Sequence, residues 1–198
     1  FQLLLVGMKL EEKNEIVVIL IFHVVATLME LFKTSDAIGA WHYPEEYLFG
    51  INNVPLFTGF MYSAVGSYLA RSWRLFDISY RNYPRLEWTV LLVVLVYANF
   101  FTHHYLPDIR WPLVAFSILL FYRTTGHSGF HPGGRGVPLL AIWVVIAFLI
   151  WIAENISTYA HIWLYPNQVD SWQMVSLGKL SSWYLLMLLS FVLISLIK

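Results

Sequence analysis

Val137-Pro-Leu-Leu-Ala-Ile-Trp-Val-Val-Ile-Ala-Phe-Leu-Ile-Trp-Ile-Ala-Glu154-Asn-Ile-Ser-Thr-Tyr-Ala-His-Ile162 is the stretch whose reading decides the fold. It carries no charge before Glu154, no glycine, and proline only at its start. A bilayer core of about 30 Å needs about 20 such residues of helix. The rest of the chain is written the same way. Of 198 residues, 59% are hydrophobic and 12% charged, and mean hydropathy is +0.64, whereas a soluble domain carries about 25% charged residues. Twelve Lys and Arg balance twelve Asp and Glu, so the basic excess that holds a nucleic-acid backbone is missing and no nucleic-acid partner is expected. With no cysteine, disulfides, thiolate metal sites and Cys nucleophiles are excluded. The expected partner is membrane lipid.

Five further apolar runs complete an all-α, polytopic transmembrane helical bundle of six visible spans. The spans are expected at 16–32, 54–76, 87–105, 109–122, 137–162 and 172–197. Pro55 suits the first turn of the second, where its missing N–H is no loss. The chain reads as a single transmembrane domain, 1–198, truncated at its N-terminus. Residues 1–15 are the tail of an earlier helix and a cytoplasmic loop, followed by hairpin one (16–76), hairpin two (87–122) and hairpin three (137–198). Placing the segment before the first span inside puts Lys9, Lys13, Arg71, Arg74, Arg81, Arg85, Arg123, Arg135 and Lys198 on the cytoplasmic side. Lys33, Arg110 and Lys179 fall outside. Cytoplasmic loops retain Lys and Arg, so the termini of this segment are expected in the cytoplasm.

Hairpins one and three echo each other. Glu30, Trp41-His42-Tyr43-Pro44 and Gly59 recur in order as Glu154, Trp163-Leu164-Tyr165-Pro166 and Gly178. Both hairpins run from inside to outside and back, which implies a parallel repeat. At 1.5 Å per residue Glu30 lies about 21 Å along its span and Glu154 about 25 Å along its own, so the carboxylates sit at matching depth. Asn99-Phe-Phe-Thr-His103-His104-Tyr-Leu-Pro-Asp108 ends another span on the same side.

An ionisable residue within a span costs a few kcal/mol and is kept with a partner or a task. Glu30 and Glu154 are therefore the leading acid/base candidates, joined by His103, His104, Asp108 and Lys179, which are expected to converge on one outward-facing pocket. Glu30 has only Lys33 one turn away, whereas Lys179 suits an ion pair with Glu154. His103 and His104 are about 100° apart on a helix and do not easily share a ligand. His23 reads as a buried residue bonded to a neighbouring helix. Trp41, Tyr43, Trp163 and Tyr165 read as interface anchors or as the lining of a substrate entrance. No metal site is assigned: His127 and His131 lie in a glycine-rich loop, Thr124–Gly136, expected to be flexible and unable to preorganise ligands.

Six motifs in order carry a resemblance: Glu30-Leu-Phe-Lys33; Trp41-x-Tyr43-Pro-Glu-Glu46; Val54-Pro-Leu-x-x-Gly59-Phe-Met-Tyr62; Phe100-Phe-Thr-His103-His104-x-x-Pro107-Asp108-Ile-Arg-Trp111; Trp151-Ile-Ala-Glu154-Asn-Ile156; and Leu177-Gly-Lys179-x-Ser-Ser-Trp183. From about Glu11 onward the chain resembles the bacterial integral-membrane family known as domain of unknown function 817. That resemblance implies a multi-pass protein of the bacterial inner membrane and no particular activity or cofactor. Asp36-Ala-x-Gly39-x-Trp41-x-Tyr43 with Val54-Pro55 is also distantly similar to small heterodimeric membrane carotenoid cyclases. Those enzymes follow the proline with Glu-Glu, where this chain has Leu56-Phe57-Thr58.

Three functions fit these residues. A membrane-embedded enzyme would act on a lipophilic, lipid or isoprenoid substrate through Glu/His acid–base chemistry at the outer face. A transporter or channel would pass an ion or small solute along the same groups. A non-catalytic scaffold would use them only for structure. The polar groups stop short of the cytoplasmic half of the spans, which favours the enzyme.

Overall fold

The computed structural model describes residues 4, 7–8, 13–130 and 135–196. The reading of residues 1–12 as an earlier helix and loop therefore falls largely outside the described residues, as do His131, Ile197 and Lys198. The described chain is mainly helical: α1 (Lys13–Lys33), α2 (Phe57–Leu75), α3 (Leu86–Thr102), α4 (Arg110–Phe121), α5 (Leu139–Tyr159) and α6 (Lys179–Ser195). Short strands interrupt the helices: β1 (Gly50–Ile51), β2 (Val54–Pro55), β3 (Ile78–Arg81), β4 (Thr125–Ser128) and β5 (Val137–Pro138). Within α1 and across α5, Glu15–Lys33 and Leu139–Tyr159 are long and apolar enough to cross a membrane, while α3, α4 and α6 are apolar but shorter.

Several expected boundaries shift. Pro55 does not open α2; it pairs with Gly50 across the β1–β2 hairpin, and the helix begins at Phe57. Asn52 makes that hairpin's turn at φ 51°, a conformation asparagine tolerates better than most side chains. The final helix starts at Lys179, seven residues after Trp172. Polar bonding keeps the intervening chain out of helix: Asn155 Oδ1 accepts the Val175 N–H at 2.9 Å, and Gln168 Nε2 donates to the Gln173 carbonyl at 2.6 Å. The glycine-rich loop is also partly ordered, because β4 pairs antiparallel with both β3 and β5. Gly126 lies opposite Tyr80 and Val137 in that sheet.

The chain divides into two compact units, Phe1–Arg71 with Ala153–Val175 and Ser72–Ile152 with Ser176–Lys198. In the first, α1 packs against α2 through glycine. A Cβ added at Gly59 would lie 2.5 Å from the His23 ring and 2.7 Å from Thr27 Oγ1. The imidazole has little room to retreat, since Phe60 packs on it with ring centroids 4.7 Å apart. Gly66 makes a looser approach to Phe22.

In the second unit α6 packs on α3 and α4. Trp143, 1% exposed, is wrapped edge-on by Phe121 at 4.9 Å and Phe191 at 5.3 Å. Such aromatic pairs contribute about 0.5–1.5 kcal/mol each beyond the area they bury. Two hydroxyl pairs tie the same unit together, Ser117 with Tyr184 at 2.8 Å and Tyr83 with Ser195 at 2.9 Å.

Gly59→Ala should lower stability by about 1–3 kcal/mol, the usual cost of overpacking, and His23→Ala should recover part of that loss. Thermal unfolding of the detergent-solubilised variants measures both effects. Equal melting of Gly59→Ala and the parent would contradict the close approach.

Candidate functional site

Among the described residues the first unit buries three carboxyl groups, Glu15 in the first turn of α1, Glu30 near the end of α1 and Glu154 near the end of α5. The last two, exposed by 1% and 2%, are the sequence candidates. Glu30 is not the isolated carboxyl expected from its sequence neighbours. Its Oε2 accepts the Trp41 indole N–H at 3.0 Å and the Tyr43 hydroxyl at 2.8 Å. Its Oε1 accepts the Tyr62 hydroxyl at 3.0 Å. Each of these bonds offsets part of the cost of removing the carboxyl from water. The indole can only donate, so Oε2 acts as an acceptor towards Trp41 in either protonation state of the carboxyl.

Glu154 repeats one part of the arrangement, its Oε1 accepting the Tyr165 hydroxyl. Each tyrosine is the third residue of its Trp-x-Tyr-Pro motif, 13 and 11 residues after its glutamate. The two motifs are themselves paired. The His42 N–H donates to the Leu164 carbonyl at 3.0 Å and the Leu164 N–H returns a bond to the His42 carbonyl at 2.9 Å. The middle residues of the two motifs thus exchange both backbone bonds as a single antiparallel bridge. Beside it, Trp41 meets Tyr165 edge-on at 6.5 Å.

Burial, and then the neighbouring charge of Glu30 or Glu154, push the Tyr43 and Tyr165 phenols well above the usual tyrosine range. Both rings therefore keep their protons. Above Tyr43 lies an open recess of about 340 Å³, whose walls include Thr34, Asp36, Trp41, His42, Tyr43 and Asn53. Trp41 and Tyr43 thus line a recess on one side and bond Glu30 on the other. Trp163 is half-buried beside the bridge.

The remaining candidates belong to the second unit. His103 and His104 lie just past the end of α3, not on it. His103 is the C-cap of α3, its N–H still bonded to the Asn99 carbonyl at 3.1 Å, and its ring lies 4.1 Å from that of His104, tilted by 35°. His103 Nδ1 also contacts the Asn99 carbonyl at 2.7 Å. Asp108 accepts from Asn99 Nδ2 at 2.9 Å and pairs with Arg110 at 2.7 Å. Burial acts to raise the Asp108 pKa, but the Asn99 bond and the Arg110 amide and charge outweigh it and hold the carboxyl below its ordinary value. Lys179 opens α6, its N–H donating to the Ser176 carbonyl at 2.9 Å. His127 sits in β4 with Nε2 3.1 Å from Thr125 Oγ1. Among the described residues no three His, Asp or Glu side chains are placed to hold a metal.

Sequence reasoning assigned no role to Tyr62 and Asn99. Tyr62 stood in the quoted Gly59-Phe-Met-Tyr motif, one turn after the glycine that lets α2 approach α1, and that spacing was the available signal. Asn99 showed none, because its role is to bond Asp108 and the Ile109 N–H, 10 residues away, at 3.1 Å.

A family model described as "Protein of unknown function (DUF817)" matches residues 1–191. The uncharacterized protein YoaT of Bacillus subtilis (strain 168) is 42% identical over 197 residues, which span 100% of this chain and 74% of YoaT. Among solved structures, the chain is similar to MvINS, a mycobacterial Insig homologue from Mycobacterium vanbaalenii. The TM-score is 0.66 at 16% identity, over 93% of each chain. A cross-linked MvINS trimer matches with the same TM-score at 17% identity, over 94% of this chain and 95% of that one. At these identities the likeness is one of fold.

Tyr62→Phe should cost about 1–3 kcal/mol, because Glu30 Oε1 loses its donor while staying buried. In a Glu30→Gln background the same change should cost at least about 0.5 kcal/mol less or more, the coupling expected of contacting groups. A double-mutant cycle by thermal unfolding reads this. Strict additivity would contradict a direct Tyr62–Glu30 bond.

Proposed function

From a chain that belongs to the DUF817 family, we propose an integral membrane protein that acts on a lipophilic substrate at its outer face, with Glu30 and Tyr43 moving the proton. The observation that carries this reading is the double position of Tyr43, which is among the residues lining the recess and whose hydroxyl bonds Glu30 Oε2 at 2.8 Å. A substrate hydroxyl in the recess gives its proton to the Tyr43 oxygen as Tyr43 passes its own to Glu30. Run in reverse, protonated Glu30 supplies a proton through Tyr43 to a substrate carbonyl or alkene. Trp41 and Tyr62 are positioning residues that hold the carboxyl between them.

Two apolar helices of sufficient length support the membrane setting, and the nine-to-three division of Lys and Arg supports six spans with this segment's termini in the cytoplasm. The bridge between the two Trp-x-Tyr-Pro motifs supports a repeated hairpin design. In this reading Glu154 with Tyr165 is the counterpart of the reactive pair and Trp163 flanks the entrance, while His103, His104, Asp108 and Lys179 belong to the other unit and take no part in this step.

One observation favours transport instead. His23 lies seven residues before Glu30 on the same face of α1, about 10 Å deeper along the helix, and its buried Nδ1 has no hydrogen-bond partner among the described residues. A proton path inward from Glu30 would run through it.

Lipid extracts of cells with and without the protein separate the readings. An enzyme should change a lipophilic species, with the change reduced by about 100-fold or more in Glu30→Gln and Tyr43→Phe, the usual worth of general acid–base catalysis. An unchanged lipid and isoprenoid profile, with altered proton-driven uptake in Glu30→Gln and His23→Ala, would overturn the enzyme and establish transport.

A further inference from the structure

The small sheet of the second unit gathers positive charge at one corner. β3 ends at Arg81, opposite Thr125 of β4. The chain then turns through Asn82 at φ 54°, whose side chain donates to the Arg123 carbonyl at 3.3 Å. Buried Thr124 returns a bond to the Asn82 carbonyl at 3.0 Å. These two bonds hold the backbones of Arg81 and Arg123 at one corner. Arg85 caps α3 three residues further on. All three arginine side chains are exposed, and none has a carboxylate partner among the described residues. Glu87, exposed in the first turn of α3, leaves the corner with an excess of positive charge.

Next to this corner the surface is apolar. Leu86 and Trp88 at the start of α3 are 57% and 51% exposed, and Leu119 and Tyr122 at the end of α4 are 73% and 62% exposed. Trp88 meets Phe116 edge-on at 6.3 Å, which brings the start of α3 beside α4. The Arg123 guanidinium lies over the Tyr122 ring, 5.5 Å from its centroid, where the charged and apolar parts meet. A soluble anion would match only the arginines. An amphiphile with a phosphate and hydrocarbon chains matches both parts.

We propose that Arg81, Arg85 and Arg123 bind the phosphate headgroup of an anionic phospholipid whose acyl chains lie against Leu86, Trp88, Leu119 and Tyr122. The inference rests on the membrane setting above and goes beyond it in assigning one lipid class to one corner of the sheet. Its chemistry is the bidentate match of guanidinium to phosphate beside apolar side chains at chain depth. The site uses residues of the second unit alone and needs no reaction at the Glu30 recess.

The test uses the whole chain reconstituted in phosphatidylcholine vesicles carrying spin-labelled phosphatidylglycerol or spin-labelled phosphatidylcholine. The motionally restricted fraction of each label is measured by electron paramagnetic resonance. The site predicts a preference for phosphatidylglycerol of at least about fivefold, given about 1 kcal/mol for each basic residue near a headgroup. That preference should fall towards unity in the triple variant Arg81→Gln, Arg85→Gln, Arg123→Gln. It should fall only in part with lysine at the same positions, which keeps the charge but not the bidentate fork, and should persist in Arg110→Gln, at the opposite end of α4. Equal restriction of both labels by the parent protein would overturn this proposal alone, and no restriction of either would overturn the membrane setting as well. Loss of the preference in inorganic phosphate, but not in chloride of equal ionic strength, would show a site for free phosphate and overturn the lipid assignment.

Discussion

A carboxyl group removed from water must find hydrogen-bond donors, and the first unit is organised by how Glu30 and Glu154 meet that demand. Neither helix that carries them supplies the donors. Glu30 draws them from the loop after α1, through Trp41 and Tyr43, and from α2, through Tyr62. Glu154 draws one from the loop after α5, through Tyr165. Satisfying these carboxyls therefore fixes where the loops after α1 and α5 lie. Loops held this way can exchange backbone bonds at His42 and Leu164. An apolar residue at position 30 would avoid the desolvation cost, but it would leave two phenols and an indole without acceptors.

The same arrangement makes structure and chemistry hard to separate at one residue and easier at its neighbours. Tyr62 and Trp41 contribute by holding the carboxyl, and their loss is felt as stability. Tyr43 bonds the same carboxyl but also faces the recess, so a molecule seated there meets a phenol already coupled to an acid. Tyr165 has the corresponding bond. The second unit is built on different physics. Its centre is an aromatic cluster around Trp143, whose indole N–H has no hydrogen-bond partner among the described residues, and the buried Ser117–Tyr184 pair joins two of its helices.

Long-period features were legible in the sequence. The apolar runs marked each described helix to within a few residues, except where side-chain chemistry overrode hydropathy, as between Trp172 and Gly178. The Glu and Trp-x-Tyr-Pro echo picked out the two loops that follow α1 and α5. It did not reveal that they pair, because backbone bonding at His42 and Leu164 leaves no trace in residue type. The glycines of Thr124–Gly136 signal flexibility, whereas in its described part Gly126 serves a strand flanked on both sides. Tyr62 and Asn99 act across 32 and 9 residues, distances at which a single sequence shows no correlation.

The central claim is that the Tyr43–Glu30 pair faces a lipophilic molecule in the recess. A photo-crosslinking amino acid placed at Tyr47, which lines that recess, tests it most directly, followed by mass spectrometry of the irradiated protein from membranes. The account predicts an adduct with a discrete lipophilic species, diminished when Glu30→Gln is introduced. Hydrolysis by water alone, or an identical spread of bulk lipids with Glu30 or Gln in place, would contradict it.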